Sequence, residues 1–332
     1  MSVVVYVNNE ACDLAIAAFQ LIAHVEAAGH HAQIFCDPAF NPTRMDQLWP
    51  GFANKRTIAI NSGTTIVSLT APSPTAFARW SKARTVLLGT CLEPHERLAK
   101  SANLFHAVLA PSKPALKILE RYTSRVIACG WHVPQMATIS RAPGDPPKLY
   151  VPAYTGLSVR IAGLARIVAA SLVGTDATAL VELADRPECS RRGMRAAFKR
   201  MGLESRVTVV APMAYAARLG AMAASDLTLD LVPGQPLAMA ARMSLAAGTP
   251  VIGFATAALS EIVMTPHQGI LVPFRVGAAS TTRLRDCAHL ASAASQTLNS
   301  PAVLAQMRQA AGLGALKRAA VFTAALKLAL AI

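Results

Sequence analysis

Acidic side chains are scarce: 18 Asp and Glu stand against 32 Lys and Arg, and the formal net charge is +14. Aromatic residues make up only 5% and charged residues 15%, while 53% of the chain is hydrophobic. That balance excludes a disordered chain and leaves ample material for a core. Long apolar runs are missing too. The best candidates are interrupted by Arg166, inside Ile161–Gly174, and by Lys327 near the end, which argues against a spanning helix. The start, Met1–Asp13, lacks a basic leader and reads as a strand. The six cysteines (Cys12, Cys36, Cys91, Cys129, Cys189, Cys287) form no Cys-x-x-Cys pair, so reduced cytoplasmic thiols fit better than a disulfide frame or a metal site. Walker and Gly-x-Gly-x-x-Gly loops and a Ser-His-Asp order are absent, which leaves kinase, dinucleotide and hydrolase readings without support.

What is present is alternation. Strand-like runs at Ser2–Val7, Ala32–Phe35, Thr57–Ile60, Thr85–Leu88, Ala107–Ala110 and Arg125–Ala128 are separated by helical or loop stretches. The third run is read as ending at the turn Asn61-Ser62-Gly63. A Pro-rich segment, Arg141–Lys148, then precedes a second series with strands at Leu149–Pro152, Ala179–Ala184, Val207–Ala211, Leu227–Val232 and Pro250–Phe254. Such order predicts an α/β protein with two doubly wound parallel sheets. The expected division is 1–146, 147–310 and a terminal helix, 311–332, packing back on the first domain. A ligand cleft is expected at the carboxyl ends of the strands.

The stretch Ala224–Pro273 carries a resemblance. It holds Ser225-Asp226, Gly248-Thr249-Pro250-Val251-Ile252, Glu261-Ile262-Val263 and Gly269-Ile270-Leu271-Val272-Pro273 in order. This resembles the donor half of GT-B glycosyltransferases, in particular the retaining group similar to family 4. Gly202–Val207 and Ala110–Lys113 extend the likeness along the chain. The resemblance implies two Rossmann-like domains, with a nucleotide sugar held by the second and the acceptor by the first. It implies no cofactor beyond a UDP- or GDP-sugar co-substrate and no metal. One departure stands out. Counting back from Gly248, the family's two glutamates fall on Gln235 and Met243. Gln235 can still hydrogen-bond a sugar, but Met243 cannot hold a ribose diol. Arg242 is adjacent, yet one residue along a helix turns a side chain by about 100°.

Candidate donor residues follow from this alignment. The loop Val232–Leu237, with Gly234, Gln235, Pro236 and Leu237, precedes a helix whose free N–H groups suit a diphosphate; an ordinary strand-to-helix turn has the same composition. Arg160, Arg186 and Arg191 follow strands and are candidates to neutralise phosphate; exposed helix-start arginines look the same. Glu261 is a candidate hydrogen-bond acceptor for the donor, or a helix cap. For acid–base work the candidates are His95 and Glu93, in the loop after the fourth strand, and Asp13 near the end of the first.

The charge asks for a polyanion: nucleic acid, an anionic membrane surface or phosphorylated substrates. A basic protein from an Ala/Arg-rich proteome would show the same balance. Residues 1–150 carry 14 basic against 9 acidic groups, and residues 151–332 carry 18 against 9. Candidate nucleic-acid contacts are Arg192, Arg195 and Lys199 beside Arg191 and Arg200, then Arg79, Lys82 and Arg84, then Lys113 and Lys117. The favoured acceptor is a hydroxymethylated base in DNA, as in bacteriophage DNA-modifying glycosyltransferases. An envelope lipid or saccharide with peripheral anionic-membrane contact is the alternative, and a non-catalytic nucleic-acid binder the third. The sequence points to no obligate protein partner, and the expected place is the cytoplasm.

Overall fold

In the computed structural model the described residues are 2–7, 12–36, 52–57, 60, 63–72, 74–80, 82–89, 101–131, 133, 145–152, 161–183, 190–231, 237–274 and 280–331. The chain divides into two compact units: residues 1–134 with 317–332, and residues 135–316.

The first unit is one parallel sheet, in the order β2-β1-β3-β4-β5-β6. Its strands are β1 (Ser2–Val7), β2 (His31–Cys36), β3 (Thr65–Ser68), β4 (Arg84–Leu88), β5 (Ala107–Ala110) and β6 (Val126–Ala128). The central strands are buried along almost their whole length, which is why they read as continuous Val/Leu/Ile runs. Helices α1 (Cys12–Ala27), α2 (Phe52–Lys55), α3 (Pro74–Ala78) and α4 (Lys113–Leu119) connect them. Ser112 caps α4, its hydroxyl accepting from the Ala115 N–H at 3.2 Å.

The third strand differs from the sequence expectation. Thr57 is irregular and bonds to the Ile34 carbonyl, Ile58 and Ala59 lie outside the described residues, and the strand runs Thr65–Ser68. Gly63, at φ +84°, opens that strand rather than closing the one before it. Gly63 marks a turn, but the β-branched residues beside it come after it.

The second unit is also one parallel sheet, in the order β12-β11-β10-β7-β8-β9. Its strands are β7 (Lys148–Val151), β8 (Thr178–Glu182), β9 (Val207–Val210), β10 (Leu227–Asp230), β11 (Val251–Phe254) and β12 (Gly269–Val272). Strand β12 was visible in the sequence only as a motif. Its first residue must be glycine: a Cβ on Gly269 would stand 1.9 Å from the Val251 carbonyl oxygen. One face of the sheet is covered by α5 (Ile161–Leu172), α6 (Arg191–Arg200) and α10 (Ser280–Leu298), which bury Val168, Leu172, Met194, Phe198, Leu290 and Leu298. A second cluster on α8 (Met239–Ala246) and α9 (Ala257–Ile262) buries Ala241, Leu245, Leu259 and Ile262 together with Ala311 of α11 (Pro301–Ala331). Helix α7 (Tyr215–Ala223) sits beside α8.

Helix α11 belongs to the second unit in its first half and to the first unit in its last turns. There Phe322 is fully buried against the rings of His24 (4.7 Å between centroids) and Trp131 (5.3 Å), and Trp131 Nε1 donates to Gln20 Oε1 at 2.6 Å. Arg84 Nη2 donates to the Ala329 carbonyl at 3.2 Å. Among the described residues no helix is long and apolar enough to cross a membrane.

Candidate functional site

In the second sheet β8 and β9 build outward from β7 on one side, and β10, β11 and β12 on the other. The reversal lies between β7 and β10. At such a switch point the connections diverge to opposite faces and leave a crevice at the carboxyl ends of the strands. That edge is formed by Val151, Glu182, Asp230, Phe254 and Val272, the last residues of β7, β8, β10, β11 and β12.

A buried ionic network organises part of it. Glu182 is almost wholly buried and accepts from four directions. Arg218 of α7 donates through Nη2 at 2.5 Å and Nε at 3.0 Å, the Met213 amide donates at 2.8 Å, and the Tyr150 hydroxyl of β7 donates as well. Each carboxylate lone pair is committed, so this group locks α7 against β7 and β8 and is not available as a base.

At the same edge, the chain enters α8 through Ala238, whose φ of +44° and ψ of +47° are left-handed. It is the only non-glycine residue with positive φ among those described. An alanine there costs about 1–2 kcal/mol relative to a right-handed backbone. Ala238 also supplies no side-chain cap, so the first-turn amides of α8 are not satisfied by a side-chain acceptor at that position. Those amides and the dipole behind them favour an anion at the switch-point edge. Arg242 supports the turn from inside: it is buried and its Nε donates to the Leu237 carbonyl at 2.8 Å.

The predicted residues distribute as follows. Leu237 is buried at the approach to α8. Gly234, Gln235 and Pro236, which follow β10, lie outside the described residues, as do Arg160 after β7 and Arg186 after β8. Met243 is buried in α8, a packing residue, and Arg242 acts as a clasp on the backbone. Glu261 is exposed in the last turn of α9; the cap of that helix is Thr256, whose hydroxyl accepts from the Leu259 N–H at 3.3 Å. Glu93 and His95 lie outside the described residues, and Asp13 falls in the first turn of α1, where side chains are not described. Arg191, Arg192, Arg195 and Lys199 are exposed on α6; Arg195 also donates to the Val209 carbonyl at 3.1 Å, and Lys199 stands 3.9 Å from Glu204. Arg79, Lys82, Lys113 and Lys117 are exposed on the first unit, whereas Arg84 is half-buried and bound to the α11 carbonyl. Among the described residues no group of His, Cys, Asp and Glu could hold a metal ion. Sequence reasoning missed the Glu182–Arg218 pair and Ala238. A lone acid closing an apolar strand signals the first; nothing in the sequence signals the second.

No protein-family model matches this sequence, and no curated protein matches it. Solved structures do. HepE of Anabaena, crystallised with UDP-glucose, matches with a TM-score of 0.69 at 15% identity over 100% of both chains. A glycosyltransferase from Rickettsia africae matches with a TM-score of 0.70 at 11% identity, over 99% of this chain and 97% of that one. The fold is GT-B. TarM of S. aureus also matches, with a TM-score of 0.59 at 12% identity, but this chain spans only 55% of its length.

Proposed function

We propose that this GT-B chain transfers a sugar from a nucleoside-diphosphate donor, a UDP-sugar, to a hydroxyl acceptor. The observation that carries the reading is the start of α8: a helix N-terminus at the switch point of the second sheet, entered through a left-handed alanine that supplies no capping side chain. Two structures of the same fold, those of HepE, hold UDP with glucose and UDP-glucose, which supports a uridine donor.

In this reading the diphosphate lies against the first turn of α8. Gln235 hydrogen-bonds the sugar hydroxyls, and Glu261 is a further acceptor for the donor. Arg160, Arg186 and Arg191 are the candidate counter-charges. The acceptor oxygen forms its bond to the anomeric carbon as the bond from that carbon to the phosphate oxygen breaks. The electron pair leaves on the diphosphate, where the α8 dipole and guanidinium groups stabilise it. The acceptor proton leaves to a base, for which His95, Glu93 and Asp13 are the candidates.

The acceptor we propose is a hydroxymethylated base in DNA. Its support is the charge: a diphosphate is too small to account for +14. Incubation with hydroxymethylated duplex and a panel of UDP-sugars, read by nucleoside mass spectrometry, tests both parts. A mass shift equal to one sugar is expected. UDP release without a nucleoside shift removes the DNA acceptor, and neither signal with any donor removes the enzyme.

A further inference from the structure

The basic residues of the second unit fall into two groups. Those with structural work are held: Arg218 by Glu182, Arg308 by Asp226 at 3.1 Å, Arg242 by the Leu237 carbonyl, and Arg206 by the Ala177 carbonyl at 2.7 Å. Of the other described ones, five gather on α6, while Lys148 of β7, Arg166 of α5 and Arg285 of α10 stand apart. Arg191, Arg192, Arg195, Lys199 and Arg200 are all exposed, and Arg191, Arg192 and Arg200 have no carboxylate partner among the described residues.

Helical geometry sets their pattern. Arg191, Arg195, Lys199 and Arg192 fall within an arc of about 100° on one side of α6. From Arg191 to Lys199 the stripe is about 12 Å long, at 1.5 Å per residue. That is the axial span of three to four phosphates of one strand, at about 3.4 Å each. The apolar side chains of α6, Met194 and Phe198, are buried in the core, and Ala196 and the half-buried Gly193 are what remain among the cations. A membrane-lying helix needs bulky apolar groups beside its cations, and this stripe has none. The stripe is also a convex helix surface rather than a pocket, which suits a polymer better than a small anion. Helix α6 follows the carboxyl end of β8. Its first turn therefore lies toward the switch-point edge, and its last turn toward the opposite edge of the sheet.

We infer that the exposed face of α6 is a track for a nucleic-acid backbone, running from the candidate donor edge down the flank of the second unit. The inference rests on the DNA-acceptor reading above and gives it a surface. Arg192 contacts the phosphates next to the reacting nucleotide, and Arg195 and Lys199 contact those beyond it.

The test is fluorescence anisotropy with a labelled 20-base-pair duplex, titrated between 50 and 200 mM salt. The probes are the full chain and the triple variant Arg192→Gln, Arg195→Gln, Lys199→Gln. Removing three phosphate contacts lowers the log–log salt slope by about 2.7, and affinity at the low-salt end falls roughly 40-fold more than at the high-salt end. A matched control, Arg121→Gln, Arg285→Gln, Lys327→Gln, removes three exposed cations elsewhere and leaves the slope within about one of wild type. An unchanged slope in the α6 variant overturns the inference, and so does an equal loss in the control. Flotation with phosphatidylserine vesicles is the second arm: vesicle binding that the α6 variant abolishes, with no duplex binding by wild type, assigns the face to a membrane and overturns it. The mass-shift assay separates the two readings. Duplex binding through α6 without any nucleoside shift retires the transfer reaction and leaves the track standing.

Discussion

The two edges of the second sheet are built from the same six strands and do opposite things. At the amino edge, short polar residues close on neighbouring backbone. Thr249 Oγ1 donates to the Met222 carbonyl at 2.7 Å, Ser225 Oγ to the Ala221 carbonyl at 2.8 Å, and Ser244 Oγ to the Thr249 carbonyl at 2.8 Å, with Thr228 Oγ1 2.7 Å from Ser244 Oγ on its other side. Asp226 accepts the Lys148 amide at 2.7 Å and pairs with Arg308. At the carboxyl edge, the buried Glu182–Arg218 pair does structural work, and at the same edge the backbone is left-handed at Ala238, which supplies no side-chain cap. Among the described residues the amino edge is satisfied internally, whereas the first turn of α8 at the carboxyl edge has no side-chain cap from Ala238. Four predictions probe that contrast.

Arg218 carries the largest effect. Its removal strands Glu182 as a buried carboxylate with two donors left, Tyr150 and the Met213 amide. Arg218→Met is expected to cost about 3–5 kcal/mol of stability, read as a lowered urea midpoint. A loss under 1 kcal/mol would show that the carboxylate takes up a proton or water at little cost, and that the carboxyl edge is not locked by this pair.

Gln235 tests the other half of the contrast, chemistry without architecture. Under the proposed reaction Gln235→Ala lowers kcat/KM with the UDP-sugar by roughly 10- to 100-fold, the worth of about 1.4–3 kcal/mol of transition-state hydrogen bonding. The urea midpoint stays in place. A variant with wild-type turnover removes Gln235 from the donor site, and one that loses stability and turnover together makes it a structural residue.

Asp226 is the amino-edge counterpart. Asp226→Ala deletes the acceptor of the Lys148 amide and leaves Arg308 half-satisfied by the Ser225 carbonyl at 2.6 Å. The expected loss is about 1–3 kcal/mol, with KM for the donor unchanged in the folded fraction. A change in KM at constant stability would mean that the amino edge communicates with the donor, contrary to the division drawn here.

This division also explains what was legible. The residues that carried the resemblance sit at the amino edge: Ser225-Asp226 precede β10, Gly248-Thr249 precede β11, and Gly269 opens β12. The polar ones are fixed by side-chain bonds to the backbone and the glycines by backbone geometry: Gly248 has φ +72°, and Gly269 is pressed against Val251. Geometry of that kind admits few residue types, so it leaves a recognisable string. The class of two parallel doubly wound sheets follows from the same strings and from the alternation of apolar runs, whereas the strand order was visible only in the structure. The carboxyl edge is different. A first-turn amide is a backbone group, and almost any residue supplies one. Ala238 shows the limit well, since alanine in a sequence signals right-handed helix. Gln235 and Met243 are placed by counting alone, and the count marks a missing glutamate without saying what Arg242 does instead.

The smallest effect comes from Ala238 itself. Ala238→Gly keeps the left-handed turn and removes the clash between Cβ and the following carbonyl, a gain of about 1–2 kcal/mol in the folded state. Glycine gives back about 0.4–1 kcal/mol through the freer unfolded chain. The net expectation is a rise in stability of about 0.5–1 kcal/mol, visible as a higher urea midpoint with an unchanged slope. Because the amides of α8 keep their direction, KM for the UDP-sugar should stay within about twofold, the span of roughly 0.4 kcal/mol. A fall in stability would mean that the turn is held by its alanine methyl packing against its neighbours rather than in spite of it. The strain would then not be a feature of the carboxyl edge at all, and the contrast between the two edges would rest on the uncapped helix alone.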